Sequence, residues 1–140
     1  MNPSTYEILA GVHAADADEV LVLPNSPNVQ MAAERAAELS EAPARVVPTR
    51  AQQEGLAALL SFDPSLGVDE NARTVGAAAA GLAVGGVAPS AKRDPQGRFG
   101  PGDAVGYRGD ELVAWGDPSE TLRSTLARVA PARMPTSRRV

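Results

Sequence analysis

Two short apolar runs, each ended by a proline, constrain the fold of this chain more than any other feature. Residues 19–23, Glu-Val-Leu-Val-Leu, precede Pro24, and residues 45–47, Arg-Val-Val, precede Pro48. Runs of this length suit strands that are buried on both faces, as parallel sheets require. Residues 28–39 between them place small apolar residues on one flank and charges on the other, as in a helix. The pattern predicts a β-α-β unit with parallel strands.

The remaining segments predict further elements around this unit. We expect helices from Ser4 to about residue 15, at 50–60, at 68–84, and from Asp117 onward, leading to Leu122, Leu126 and Val129. Residues 87–91 suit an edge strand and residues 92–102 a loop. Residues 104–107 and 111–115 flank Arg108-Gly109-Asp110, which predicts a β-hairpin.

These elements predict an α/β fold with a small, open, mainly parallel sheet, flanking helices, a β-hairpin and a carboxy-terminal helix. We expect one α/β domain over residues 1–130 and a disordered arginine- and proline-rich tail over residues 131–140. Alanine supplies much of the apolar content, while aromatic residues make up 4% of the chain. Because alanine buries little area, the core should be small and the domain marginally stable.

Charge and cysteine content narrow the possible functions. The chain has no cysteine, which excludes disulfides and cysteine nucleophiles, and its single histidine is His13. The net charge is −4, and the acidic residues lie mostly before Glu120, which disfavours a nucleic-acid partner. No apolar run approaches the ~20 residues of a membrane helix. We therefore expect a cytoplasmic protein without a membrane span.

Polar residues follow both predicted parallel strands. Asn25 and Asn28 come after the first strand, and Thr49 and Arg50 come after the second. Ligands of open parallel sheets usually bind at this edge, near helix amino termini that favour anions, and arginine can grip a carboxylate or phosphate in two places. These four residues are the candidate site for a ligand or partner. A simpler explanation is that Asn25, Ser26 and Thr49 only cap helices and that Arg50 is a solvated charge.

The sequence contains no phosphate-binding GxxxxGK[ST] loop, and we assign no catalytic residue and no metal ligand. Tyr107 and Trp115 have two possible roles. They could form an exposed docking patch, or pair across the hairpin to complete a thin core, which is the commoner arrangement.

Several segments in order resemble one bacterial family. They are Met-Asn-Pro-Ser-Thr at 1–5, Ala-Asp-Glu-Val-Leu-Val-Leu-Pro-Asn at 17–25, Ala-Ala-Glu-Arg-Ala-Ala-Glu-Leu at 32–39, Arg-Val-Val-Pro-Thr-Arg at 45–50 and Glu-Gly-Leu-Ala-Ala-Leu-Leu at 54–60. With the later hairpin at 102–116, this resembles the carboxy-terminal region of the dihydroxyacetone-kinase-like, ATP-binding subunit of fatty acid kinase, over about residues 1–128. The chain departs from the family pattern at Ser26, Pro27 and Glu54.

The resemblance implies a non-catalytic module of a larger kinase. In the family, ATP and magnesium bind an amino-terminal helical domain that this chain lacks, so we expect no cofactor here. The resemblance also implies that this carboxy-terminal region is similar in fold to fatty-acid-binding partners of the DegV type and engages them and the other kinase domains. The complete kinase phosphorylates the carried acid to an acyl phosphate for phospholipid synthesis.

Two other interpretations stay open at this point. The chain could be an independent α/β domain that binds an anion or lipid through the candidate site. It could also be a functionless remnant, because the family pattern begins before residue 1 and continues where this chain has its arginine-rich tail; we expect a product truncated at both ends.

Overall fold

The computed structural model describes residues 2–130, which form two compact units. The first unit ends at Leu82 and the second begins at Ala83. The first contains a two-stranded parallel sheet and the second a three-stranded antiparallel sheet. The predicted α/β class is confirmed. The predicted tail at 131–140 lies outside the described residues.

The first unit contains the predicted β-α-β arrangement. Helix α1 spans Thr5–Ala14, strand β1 spans Val20–Val22, helix α2 spans Gln30–Leu39 and strand β2 spans Ala44–Val46. The two strands pair in parallel, with Leu21 opposite Arg45. Helix α1 starts where the sequence predicts, because Ser4 and Glu7 form a reciprocal capping box.

Two further helices complete this unit. Helix α3 spans Gln52–Ala58, a 3-10 helix covers Leu59–Ser61, and helix α4 spans Val68–Ala80. Asn71 fixes the turn between them: its amide nitrogen donates to the carbonyls of Asp63 and Leu66, and its oxygen accepts from the Asp63 N–H. The helix predicted at 68–84 ends instead at Ala80, with Gly81 as its C-cap, since glycine is a poor helix former.

The core of the first unit is built from small side chains. Val47, Ala58, Val75 and Ala79 form its buried cluster, with Leu21, Leu23, Ala72 and Ala78 partly buried around them. Helix α3 contributes only Gly55 and Ala58 to the interior. Small residues let the helices lie close to the sheet, and they bury little apolar area.

An arginine covers the outer edge of β2. In the parallel ladder the Val47 N–H donates to the Val22 carbonyl, on the side of β1. The Ala44 carbonyl accepts instead from the Nη1 atom of Arg45 at 3.0 Å, and Arg45 Nε lies 2.6 Å from an Asp69 carboxylate oxygen. The side chain therefore occupies a backbone acceptor that β1 leaves unpaired.

The second unit is an antiparallel sheet with one helix. Strand β3 spans Gly85–Pro89, β4 spans Ala104–Arg108, β5 spans Glu111–Gly116, and helix α5 spans Pro118–Val129. The predicted hairpin of β4 and β5 is confirmed, and β3 is an edge strand as expected. Asp117 caps α5 by accepting from the Ser119 and Glu120 N–H groups.

Helix α5 buries two threonines rather than its leucines. Thr121 and Thr125 are its buried residues, whereas Leu122 and Leu126 are about half exposed. The reason is the close approach of the helix to two strand glycines: a Cβ at Gly106 would meet Thr125 Oγ1, and one at Gly85 would meet Val129. So narrow a gap accepts threonine but excludes leucine.

The loop between β3 and β4 is held by an ion pair. Asp94, only 6% exposed, accepts from Arg98 Nε at 2.8 Å and from Arg98 Nη2 at 2.9 Å. The same guanidinium lies 5.1 Å from the centroid of the Trp115 ring. Trp115 pairs across the sheet with Val105, and Tyr107 pairs with Leu112. The expected Tyr107–Trp115 cross-strand pair is therefore wrong, and both rings are partly exposed.

Helices long and apolar enough to cross a bilayer are not found between residues 2 and 130.

Candidate functional site

The candidate residues lie where the two parallel strands end. Because β1 and β2 are parallel, their carboxyl ends open onto the same edge of the sheet. The chain continues from β1 through residues 23–29 and from β2 through residues 47–51. Both connections are short, and each begins with a leucine or valine that packs in or against the core.

Asn25 and Thr49 join these two connections directly. The Asn25 N–H donates to Thr49 Oγ1 at 3.0 Å, and Thr49 is 1% exposed. Asn25 has a φ of 56°, in the left-handed region that asparagine tolerates better than most residues. The left-handed turn points the backbone N–H of Asn25 at the neighbouring strand's connection. We call this contact the Asn25–Thr49 clip.

The explanation of these residues as simple helix caps is wrong. Helix α2 begins at Gln30 with Val29 as its N-cap, and α3 begins after Ala51; neither cap residue makes a side-chain hydrogen bond. Asn25 cannot cap because a turn intervenes, in which the Ser26 carbonyl accepts from the Val29 N–H. The hydroxyl of Thr49 accepts from the Asn25 backbone, 24 residues earlier in the chain.

Gly55, which the sequence pattern did not assign to the site, lies against the Asn25 side chain. A Cβ at Gly55 would be 2.0 Å from Asn25 Oδ1 and 2.9 Å from its Cγ. Asn25 Oδ1 is buried, and no donor among the described residues reaches it. The signal was a glycine in the middle of a predicted helix, which costs stability unless something approaches closely at that position.

The other two candidate residues lie at the surface. Asn28 is exposed, and its N–H donates to Ser26 Oγ at 3.3 Å. Arg50 is exposed next to the buried Thr49, and its N–H donates to a Glu54 carboxylate oxygen. The structure thus unites Asn25 and Thr49 inside the edge of the sheet. Asn28 and Arg50 are the exposed members of the set, and Asn25 is half-buried.

The residues at the carboxyl ends of β1 and β2 therefore have two different roles. The half-buried Asn25, the buried Thr49 and the buried Gly55 fix the two loops relative to each other. The exposed part offers a guanidinium and a carboxamide, which suit a carboxylate or phosphate. Groups of three or more His, Asp or Glu side chains placed to hold a metal ion are not found in residues 2–130.

Comparison with known proteins shows which protein family this chain resembles. Residues 1–132 match the FakA-like family model, which describes the C-terminal region of a fatty acid kinase subunit. Protein YloV of Bacillus subtilis is 39% identical over 71 residues, which are 51% of this chain and 13% of that protein. An uncharacterized protein of Staphylococcus haemolyticus is 38% identical over 71 residues, with the same coverage of 51% and 13%. The matched segment is a small fraction of these longer relatives.

Proposed function

This chain belongs to the family of FakA-like C-terminal domains of fatty acid kinase, and from that membership we propose that it is a non-catalytic docking module. It binds a fatty-acid-carrying protein of the DegV type, so that a separate ATP-binding domain can phosphorylate the acyl carboxylate for phospholipid synthesis. The observation that carries the proposal is the family match over residues 1–132. The relatives are far longer than the matched segment, which leaves room in them for an ATP-binding region.

The site geometry supports a scaffold role. The Asn25–Thr49 clip is formed by a backbone N–H and a buried hydroxyl, which hold loops in place. A docking surface gains affinity from such rigidity, because loops that are already ordered lose less entropy on binding. The exposed Arg50 beside the clip would then present its charge to the partner.

The proposal is tested by reconstitution from separate polypeptides. The purified chain is mixed with the ATP-binding region of a relative and with a DegV-type protein loaded with fatty acid. We expect the chain alone to show no ATP turnover, to bind the loaded DegV-type protein in sedimentation, and to raise acyl phosphate formation, measured by hydroxylamine trapping. ATP turnover by the chain alone, or no binding and no stimulation, would refute the docking role.

A second candidate function is anion binding at the carboxyl ends of β1 and β2. It is favoured by one observation: Asn25 and Thr49, from different connections, meet beside the exposed Arg50. Phosphate and fatty-acid carboxylates should then raise the melting temperature of the chain, and Arg50→Ala should abolish the rise. Arg35→Ala is the matched control, since Arg35 is an exposed arginine of α2. Equal shifts in both variants would count against this candidate.

A further inference from the structure

Helix α3 and the 3-10 helix after it expose their large apolar residues. Leu56 is 69% exposed and Leu60 is 89% exposed, while Leu59 and Phe62 beside them are each more than two-fifths exposed. Leu56 lies in α3, and Leu59 and Leu60 lie in the 3-10 helix that continues it. We name these four residues the leucine stripe.

The positions of large and small residues in this segment are the reverse of those in an ordinary surface helix. A surface helix normally turns its leucines toward the core and its polar or small residues toward water. In α3 the interior positions are Gly55 and Ala58, whereas Leu56 is exposed. Leu59 and Leu60 of the 3-10 helix that follows are exposed as well. The interior cannot accept larger residues, because the Asn25 side chain lies against Gly55 and Ala58 is fully buried in the core cluster.

Several exposed leucines on one short segment are a candidate surface for binding another molecule. Contiguous apolar surface on a monomer marks an interaction site, whereas scattered single residues do not. Met31 is an example of a scattered residue: it is 81% exposed on α2, away from the α3 segment in sequence. The stripe instead combines three leucines and a phenylalanine within seven residues.

The charge of the first unit restricts what can cover the stripe. Residues 1–82 contain eleven aspartates and glutamates against four arginines, a net charge of −7. Glu54 and Asp63 flank the stripe along the chain. The Ser65 hydroxyl and N–H donate to Asp63 at 2.7 and 2.9 Å, and these bonds hold the pKa of Asp63 below its usual value. The rim of the stripe is therefore anionic at neutral pH.

We propose that the leucine stripe binds a basic amphipathic helix of a partner protein, whose apolar face covers Leu56 and Leu60 while its lysines or arginines face the acidic rim. Two stripes would repel each other through their like charge, which disfavours a second copy of this chain. Cellular bilayers carry anionic lipids, so the same charge disfavours a membrane surface. This proposal names the surface that would serve the docking role, and in that respect it rests on the proposed function.

The test uses the full chain and a synthetic helical peptide of ~18 residues with leucines on one face and lysines on the other. A peptide with glutamate in place of lysine is the charge control. We expect the lysine peptide to bind and the glutamate peptide to bind at least about tenfold more weakly, with the lysine peptide losing affinity as salt rises. Binding is measured by fluorescence anisotropy.

Variants locate the binding surface. Leu56→Ser/Leu60→Ser should weaken lysine-peptide binding by about tenfold or more, because apolar contact area is lost. Met31→Ser should leave it unchanged, since Met31 is similarly exposed on another helix. Circular dichroism checks that the variants remain folded. Equal affinities of both variants would overturn the proposal, as would tighter binding to phosphatidylglycerol vesicles than to the peptide.

The DegV-type protein is assayed in parallel to separate the two proposals. If it binds the unmutated chain and the Leu56→Ser/Leu60→Ser variant equally, the stripe is refuted and the docking role stands. If it binds neither while the lysine peptide requires the two leucines, the stripe stands as a surface for a basic helix and the docking of a fatty-acid carrier is refuted.

Discussion

At Gly106 the second unit leaves no space for a side chain. A Cβ there would lie 1.9 Å from Thr125 Oγ1 and 3.2 Å from both Thr125 Cβ and Thr121 Cγ2. Both threonines are buried, and Thr125 Oγ1 donates to the Thr121 carbonyl at 2.7 Å. Because β-branched side chains are stiff, neither threonine can turn away without moving α5.

We expect Gly106→Ala to destabilise the second unit by about 2–3 kcal/mol, the upper part of the range for overpacking. Gly86→Ala on β3 is the matched control, because no heavy atom lies within 4 Å of its added Cβ. Urea unfolding followed by the fluorescence of Trp115 measures the effect. If Gly106→Ala lowers the free energy of unfolding by less than about 0.5 kcal/mol, α5 can move to accommodate the added methyl group.

Gly55 is a second close approach, but it faces a more adaptable group. The Asn25 amide can rotate, whereas the threonines against Gly106 cannot. We expect Gly55→Ala to destabilise the first unit by about 1 kcal/mol, although alanine normally improves a helix by about that amount. Gly11→Ala in α1 should show the normal gain, since its Cβ would meet nothing within 4 Å. Stabilisation by both substitutions, measured by urea unfolding, would contradict the close approach.

At the scale of elements, the loop between β3 and β4 depends on one carboxylate. Its hydrogen bond from the Arg98 side chain lowers the pKa of Asp94 from 3.8 to about 2. A carboxyl group of ordinary pKa in the unfolded chain takes up its proton first as the solution becomes acidic. The contribution of Asp94 to stability is therefore complete above about pH 4 and is lost as the pH falls toward 2.

We expect Asp94→Asn to flatten the fall in stability of the second unit between about pH 4 and pH 2. The melting temperature followed by Trp115 fluorescence reports this well, because Arg98 lies over the Trp115 ring. Glu120→Gln, a change at an exposed acid on α5, is the control and should keep the full acid dependence. Parallel pH curves for the unmutated chain and Asp94→Asn would show that the ion pair does not matter.

Sequence patterns predict elements wherever local chemistry decides the structure. The apolar runs before Pro24 and Pro48, the capping box at Ser4, and the Asp117-Pro118 start of α5 are local signals, and each corresponds to an observed element. The predicted start of α2 is wrong because Asn25 uses its left-handed conformation to reach Thr49. This hydrogen bond joins residues that are 24 positions apart, so a local sequence pattern cannot predict it.

The buried face of α5 and the role of Gly55 were missed for a related reason. Apolar periodicity assumes that a helix packs at the usual distance, where leucine fills the gap better than threonine. Strand glycines at Gly85 and Gly106 shorten that distance, so Thr121 and Thr125 fit instead. For the candidate site, the order of strands along the chain predicts that Asn25 and Thr49 lie at one edge of the sheet. The hydrogen bond between them depends on the folded backbone and is not predicted by that order.

At the scale of the whole molecule, the large apolar side chains are more exposed than the small ones. The fully buried apolar residues among positions 2–130 are all valine and alanine, while leucines are concentrated at partly or largely exposed positions. Valine and alanine contribute less burial energy than leucine or phenylalanine. The proposed docking role would bury these exposed leucines against a partner.

A small core makes protection of sheet edges important. Arg45 occupies the Ala44 carbonyl on the outer edge of β2 and meets Asp69. We expect Arg45→Ala to increase aggregation, because the bare strand edge can pair with another chain, while the melting temperature changes little for so exposed an ion pair. Light scattering at 37 °C measures aggregation, and Arg35→Ala is the control for loss of a surface charge pair. Equal scattering by the two variants would show that Arg45 does not protect the edge.

The contact between Gly55 and the Asn25 amide also bears on how such sequences can diverge. Because a Cβ at position 55 has room only when the side chain at position 25 is smaller or moves away, substitutions at the two sites are not independent. Descendants that carry alanine at position 55 should also carry a smaller residue at position 25. Chimeras that exchange residues 1–30 and 50–82 between distant relatives should lose stability when the exchange separates a matched pair.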